Sequence, residues 1–277
     1  MGPLRALVAA LTRGREGSAL ALPAGARVEA DLAYGPEPEQ CLDAYLPAGR
    51  PNGAILVIVH GGAWAIGDKA NPAVVAAKVA HWLPAGMVVV SVNYRLLPHA
   101  GVLQQAGDVA GAIAFVQKRA SSWQADPARL VVVGQSTGAH LASLLAADPA
   151  LAEAEGAAPW LATILLDSAA LDMVAVMRMP HRPLYDRAFG VTESGWQALS
   201  PLHRLRARPA PLLLVHSNQR QDAAGASQRF AAAVAARGGR AEVHEVALSH
   251  AEINAGLGLG NPYTERVDAF LKSVGVP

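Results

Sequence analysis

The chain has 277 residues, 52% apolar but only 5% aromatic, so it can build a substantial core of Ala, Val and Leu without staples. Lys and Arg total 23 against 22 Asp and Glu, a balance that gives no electrostatic footprint for nucleic acid or an anionic membrane. Cys41 is the single cysteine, which excludes an intramolecular disulfide and a cysteine-based metal site and leaves a buried, inert thiol as the expectation.

Met1 to Leu11 holds Arg5 and a brief apolar run, and Arg13, Arg15 and Glu16 follow without a small-residue cleavage site. Residues 1–25 are therefore expected to be a frayed leader or short helix, and a cytoplasmic location is favoured. No stretch approaches 18 uncharged apolar residues, so no membrane span is expected.

Two strand-like segments come first, at 27–34 and 41–46, with Gly-Pro-Glu-Pro between them as turn chemistry. Residues 54–60 (AILVIVH) form a continuous apolar run typical of a strand buried on both faces. Asn71-Pro72 opens a helix, with Asn as the cap and Pro at the first helical position. A second buried strand follows at 87–92, then a helix near 103–119. The strand at 130–133 leads into a helix ending near Ala147. Strands at 161–166, 211–216 and 242–246 come next. A helix to about Arg237 separates the last two, with Gly238-Gly239 as its stop signal. Asn261-Pro262 opens the closing helix.

Two antiparallel-looking strands followed by this alternation predict a single α/β domain with a mostly parallel, doubly wound sheet of about eight strands. Residues 169–209 interrupt the alternation with a stretch rich in Pro, Met and Arg. An insertion of that length between sheet strands is expected to be a cap or binding loop.

Residues 130–140 read LVVVGQSTGAH, an apolar strand running through Gly134-Gln135-Ser136-Thr137-Gly138 into a helix. Turning a strand into a helix so sharply forces the serine into a strained conformation and exposes its hydroxyl. Glycines on either side let the chain pass. Ser136 is the expected nucleophile. His60-Gly61-Gly62-Ala63-Trp64 ends an earlier strand, and in a parallel sheet that end faces the same crevice as Ser136. The backbone N–H groups of Gly62, Ala63 and Thr137 can then surround an oxyanion. His60 is expected to fix the loop and not to act as the base.

Nine histidines compete for the base. His250 follows the last strand, where polar residues break the apolar pattern, and is the candidate. His216 and His244 lie within strands, and His140 sits on the helix after Ser136. The acid should follow the strand 211–216. Asp222 is the only carboxylate between that strand and the next helix, with Asp167 and Asp172 after the preceding strand as competitors. No His-x-x-x-His pair or acidic cluster points to a metal, and no cofactor is expected.

With these pieces assembled, the chain resembles the esterase branch of the α/β-hydrolases, in particular the hormone-sensitive-lipase-like carboxylesterases and the kynurenine formamidases. The resemblance runs from about Val28 to the C-terminus. Residues 60–64 match the family's HGGxW oxyanion loop, residues 91–98 (SVNYRLLP) the signature after it, and Asp108 an acidic position on the next helix. Residues 134–138 match the nucleophile elbow, and Ser249-His250 falls at the catalytic histidine. Asp222 corresponds to the acid by position, although Ser217-Asn218-Gln219-Arg220-Gln221 replaces the usual short Asp-containing turn. Ala63 in place of a third glycine points toward the formamidase and small-esterase side, and Arg95 is expected to pair inside the fold.

The resemblance implies a serine carboxylesterase that acts on small esters of short acyl chains through Ser136, Asp222 and His250. Formamide hydrolysis in tryptophan breakdown and a catalytically inactive binding fold are the alternatives. Trp64, Met177, Phe189 and Trp196, with Met173, Met179 and Leu184, are expected to wall the crevice. A small ester is the expected partner.

Overall fold

A computed structural model describes residues 20–277; the expected leader at residues 1–19 lies outside it, and of the expected segment 1–25 only the last few residues are described. The eight expected strands form one sheet in the order β1-β2-β4-β3-β5-β6-β7-β8. These are β1 (Arg27–Ala33), β2 (Cys41–Leu46), β3 (Ile55–Val59), β4 (Val88–Val92), β5 (Leu130–Gln135), β6 (Ala162–Leu166), β7 (Leu212–Ser217) and β8 (Ala241–Val246). β2 runs antiparallel to both β1 and β4, and the strands from β4 to β8 are parallel.

The central strands β3, β4, β5, β6 and β7 are buried along almost their whole length because helices cover both faces. Side chains alternate between the two cores. Ile55, Val57 and Val59 of β3 point into one core with Val109 and Ile113 of α2 (Val102–Arg119) and Leu141 and Leu145 of α3 (Thr137–Ala147). Leu56 and Ile58 point the other way, toward Val75 and Val79 of α1 (Pro72–Trp82) and Val267 and Phe270 near the C-terminus. This period of two turns a continuous apolar run into two separate cores. β1 and β8 carry exposed side chains, as edge strands do.

Capping follows the sequence signals. The Asn71 side chain accepts from Ala73 N–H with Pro72 at the first helical position of α1. After α4 (Pro149–Glu153) and β6, the insertion folds into four short helices: α5 (Met173–Met177), α6 (Pro183–Phe189), α7 (Glu193–Ala198) and α8 (Pro201–Arg204). Then come α9 (Gln221–Ala235), α10 (His250–Gly256) and α11 (Pro262–Ser273). Among the described residues no helix is long and apolar enough to cross a membrane.

The pairing expected of Arg95 is present and bidentate. Its Nε and Nη2 donate to the Asp108 carboxylate at 2.8 and 2.6 Å, fixing the turn after β4 to α2. Cys41 is half-buried rather than fully enclosed, and burial pushes its thiol above the ordinary range.

Candidate active site

β5 ends at Gln135, and Ser136 turns the chain into α3 with φ 54° and ψ −112°, a strained conformation for a residue with a side chain. The two elbow glycines are required by close backbone approach. A Cβ at Gly134 would stand 2.3 Å from the Gly138 carbonyl oxygen, and one at Gly138 would stand 2.1 Å from that of Val59. Ser136 N–H donates to Leu166 O at 2.8 Å, tying the elbow to the end of β6.

The loop after β3 is also strained: Gly62, Ala63 and Trp64 all have positive φ, at 138°, 53° and 60°. Its turn is closed by Ala65 and Ile66 N–H donating to Gly62 O. The N–H groups of Gly62, Ala63 and Thr137 find no acceptor among the described residues. His60 fixes the loop as expected. Its ring stacks on Tyr94 with centroids 4.5 Å apart, and Tyr94 Oη–H donates to the His60 carbonyl at 2.8 Å.

The carboxylate that meets the imidazole is Asp167 and not the expected Asp222. Asp167, one residue past β6, lies with its Oδ2 2.6 Å from His250 Nδ1. Asp222 does not touch the imidazole. It sits on the first turn of α9, largely exposed, and its carboxylate accepts from Arg220 Nη2 at 2.8 Å. The physical reason lies in the β7–α9 connection. There the guanidinium of Arg220 occupies the space beside His250, with Asp167 on one side and Asp222 on the other. Arg220 Nη1 donates to both the carbonyl oxygen and Oδ2 of Asp167 at 3.0 Å. Asp172, the other competitor, caps α5 by accepting from Ala175 N–H.

Asp167 is buried, which alone would raise the pKa of its carboxyl. Hydrogen bonds from His250 and Ser217 N–H, with Arg220 alongside, outweigh that and bring it down to about 2. With the carboxylate charged, the His250 Nδ1 proton is held against Asp167, and Nε2 is left as the acceptor. Gln135 Nε2 sits 3.1 Å from His250 Nε2, which fits that tautomer.

Ser136, His250, Gly62, Ala63 and Thr137 line one cleft of about 1020 Å³ between the sheet's C-terminal edge and the insertion. Trp64 reaches it too, but its indole is mostly buried and donates to His140 Nδ1 at 3.2 Å. Met179 and Leu184 line the cleft as expected, whereas Met173, Met177, Phe189 and Trp196 do not. Met177 and Phe189 are buried behind it, Phe189 packing edge-on against Trp64 at 4.8 Å, and Trp196 is turned to Gly190 O. Val176 and Tyr185 complete the wall, while the larger Met177 and Phe189 pack into the core.

Sequence reasoning missed the parts played by Gln135 and Arg220. The signal for Arg220 was present, since a basic residue stands in the segment that replaces the usual Asp-containing turn. Among the described residues no group of three or more His, Cys, Asp or Glu side chains is placed to hold a metal ion.

The sheet order, the elbow after β5 and the strained glycine loop after β3 define an α/β-hydrolase. The chain belongs to the BD-FAE family of α/β-hydrolase esterases, whose model matches residues 42–224. It is 32% identical over 131 residues to an isoprenylcysteine alpha-carbonyl methylesterase of Arabidopsis thaliana, covering 47% of this chain and 30% of that protein. It is 29% identical over 239 residues to the esterase LipQ of Mycobacterium tuberculosis, covering 80% of this chain and 56% of that protein. The matches thus span less than two thirds of either relative. Thermogutta terrifontis esterase 2 superimposes with a TM-score of 0.73 at 24% identity, over 91% of this chain and 96% of that one. Esterase B from Lactobacillus rhamnosis gives 0.74 at 19%, over 98% and 91%. At these identities the two structures share the fold.

Proposed function

We propose that this protein is a serine carboxylesterase that hydrolyses small esters of short acyl chains, with Ser136 as nucleophile, His250 as base and Asp167 as the orienting acid. The contact between Asp167 and His250 in one cleft with the strained Ser136 elbow carries this reading. In the proposed reaction Ser136 Oγ attacks the ester carbonyl while its proton passes to His250 Nε2. Negative charge gathers on the carbonyl oxygen, within reach of the free N–H groups of Gly62, Ala63 and Thr137. His250 then returns the proton to the departing alkoxide. Water, deprotonated by the same imidazole, cleaves the acyl-enzyme and frees Ser136.

The short-acyl preference is supported by the compact insertion over the cleft, and by Thermogutta terrifontis esterase 2, which has been solved with propionate and with butyrate bound. The test is turnover of 4-nitrophenyl acetate, butyrate and decanoate, with N-formylkynurenine as comparator. Activity should peak at acetyl to butyryl and fall by roughly 10⁴-fold or more in Ser136→Ala, with fluorophosphonate labelling lost. A maximum at decanoate, or faster turnover of N-formylkynurenine than of any ester, overturns the substrate assignment.

A further inference from the structure

The carboxamide of Gln135 has no part in the reaction as written above, yet it occupies the atom on which that reaction depends. His250 Nδ1 is bound to the carboxylate of Asp167, so the ring's lone pair is at Nε2, and Gln135 Nε2 lies 3.1 Å from it. An amide N–H can donate there only while the imidazole is neutral. Once Nε2 carries the serine's proton, two N–H groups face each other and the bond is lost.

A second observation shows that the surroundings are shaped around this side chain. Gly61 has no positive φ to explain its being glycine. A Cβ there would stand 2.2 Å from Gln135 Oε1 and 2.9 Å from the Gln135 carbonyl oxygen. The first glycine of the loop after β3 thus leaves room for the carboxamide, which is wedged between that loop and the imidazole.

We propose that Gln135 is a positioning residue for the base: it holds the His250 imidazole neutral and aligned beside Ser136, and releases it when the proton moves. The proposal rests on His250 acting as base in ester hydrolysis. A hydrogen bond made only to the neutral form disfavours the charged form, so replacing Gln135 should change the pH dependence of the reaction. Charged and titratable groups around the imidazole include Asp167 after β6, Arg220 after β7 with Asp222 beside it, Glu252 on α10 itself and Lys78 of α1, which donates to Asn254 O under α10. Asp68, His181, Arg182, Tyr185 and Arg229 line the same cleft. Tyr263 of α11 is within electrostatic range of Asp167. None of these is changed in the variants below.

The experiment measures kcat/KM for 4-nitrophenyl acetate against pH in the parent, Gln135→Ala and Gln135→Glu, with the rate of Ser136 labelling by a fluorophosphonate as a second readout that needs no ester. With Gln135→Ala the acid limb should move up by about 0.5–1 pH unit, the worth of one neutral hydrogen bond. With Gln135→Glu it should move further in the same direction, because a carboxylate there favours the imidazolium. Both readouts should shift together while the melting temperature stays near the parent's. Gln135→Met, which keeps the side chain's length without its amide donor, should move the labelling limb the same way if Gln135→Ala proves unstable. Limbs that coincide with the parent's, or move to lower pH, overturn the proposal. A parent that turns over no ester and takes no label overturns the esterase reading instead.

Discussion

Asp167 Oδ2 and His250 Nδ1 meet at 2.6 Å across 83 residues of sequence, so the carboxylate at the imidazole comes from the loop after β6 and not from the loop after β7. Asp167 holds a positive φ of 52°, with its N–H on Val215 O at 2.7 Å and its Oδ1 accepting from Ser217 N–H at 3.0 Å. β7 therefore contributes backbone that orients the carboxylate, and Arg220 then stands where the neighbouring loop would otherwise bring an acid.

This arrangement separates two carboxylates sharply. Asp167→Asn should lower kcat on an activated ester by roughly 10²–10⁴-fold, through loss of the tautomer and of imidazolium stabilisation. Asp222→Asn should stay within a few-fold of the parent, because it loses only an exposed pair with Arg220. Steady-state kinetics of the two variants decide the matter, and a collapse in Asp222→Asn alone would return the acid to α9.

His140 on α3 joins the body to the insertion. Trp64 Nε1 donates to its Nδ1, and its Nε2–H donates to Leu199 O at 2.8 Å. Burial lowers its pKa from 6.5 to about 4. As pH falls from 6.5 toward 4 the unfolded chain takes up a proton that the folded chain refuses, so stability is lost through that window. The loss is about 3 kcal/mol at most. Denaturant midpoints at pH 7 and pH 4.5 should drop steeply for the parent and less for His140→Gln. Equal slopes would show that other groups govern acid unfolding.

Lys78 behaves in the opposite pH range. It is fully buried on α1, donating to Asn254 O at 2.7 Å, and burial lowers it from 10.5 to about 7. Between those values the unfolded chain holds a proton that the folded chain lacks, so this group makes stability rise with pH, by no more than about 5 kcal/mol. Lys78→Met should flatten the rise in melting temperature between pH 7 and 9. A variant that keeps the parent's slope would show that Lys78 stays charged.

Gly138 sets a steric limit. A Cβ there meets backbone oxygens of Val59 and His60 at 2.1 and 2.6 Å, atoms that cannot swing aside. Gly138→Ala should cost roughly 1–3 kcal/mol or prevent folding, read from the denaturation midpoint and yield of folded protein. An unchanged midpoint would mean that α3 can slide away from β3.

Much of this was legible in the chain itself, because the strongest signals are local. AILVIVH and LVVVG each state their burial by composition, and β3 and β5 fall where those runs lie. The elbow and the loop after β3 are legible because strain and close approach demand glycine at particular positions. The carboxylate that meets His250 was not, because Asp167 and Asp222 are both single carboxylates near strand ends, and only the position of Arg220 in space separates them. Part of the cleft wall, beyond Trp64, Met179 and Leu184, was hidden for a related reason. Met177, Phe189 and Trp196 are as apolar as Val176 or Leu184, and which of them faces the cleft depends on how four short helices lie.

The proposed nucleophile and acid ride on hydrogen-bonded neighbours, β5 and β6, joined at their tips by Ser136 N–H on Leu166 O. The proposed base rides on α10, a seven-residue helix whose one buried side chain is Ile253. Segments so differently anchored open at different free energies. Mild heat or denaturant should therefore abolish the proposed esterase activity before it unfolds the sheet. Deuterium will enter the amides of Ala251 to Asn254 while β5 and β6 still exclude it, and cooling will restore activity without any refolding of the sheet.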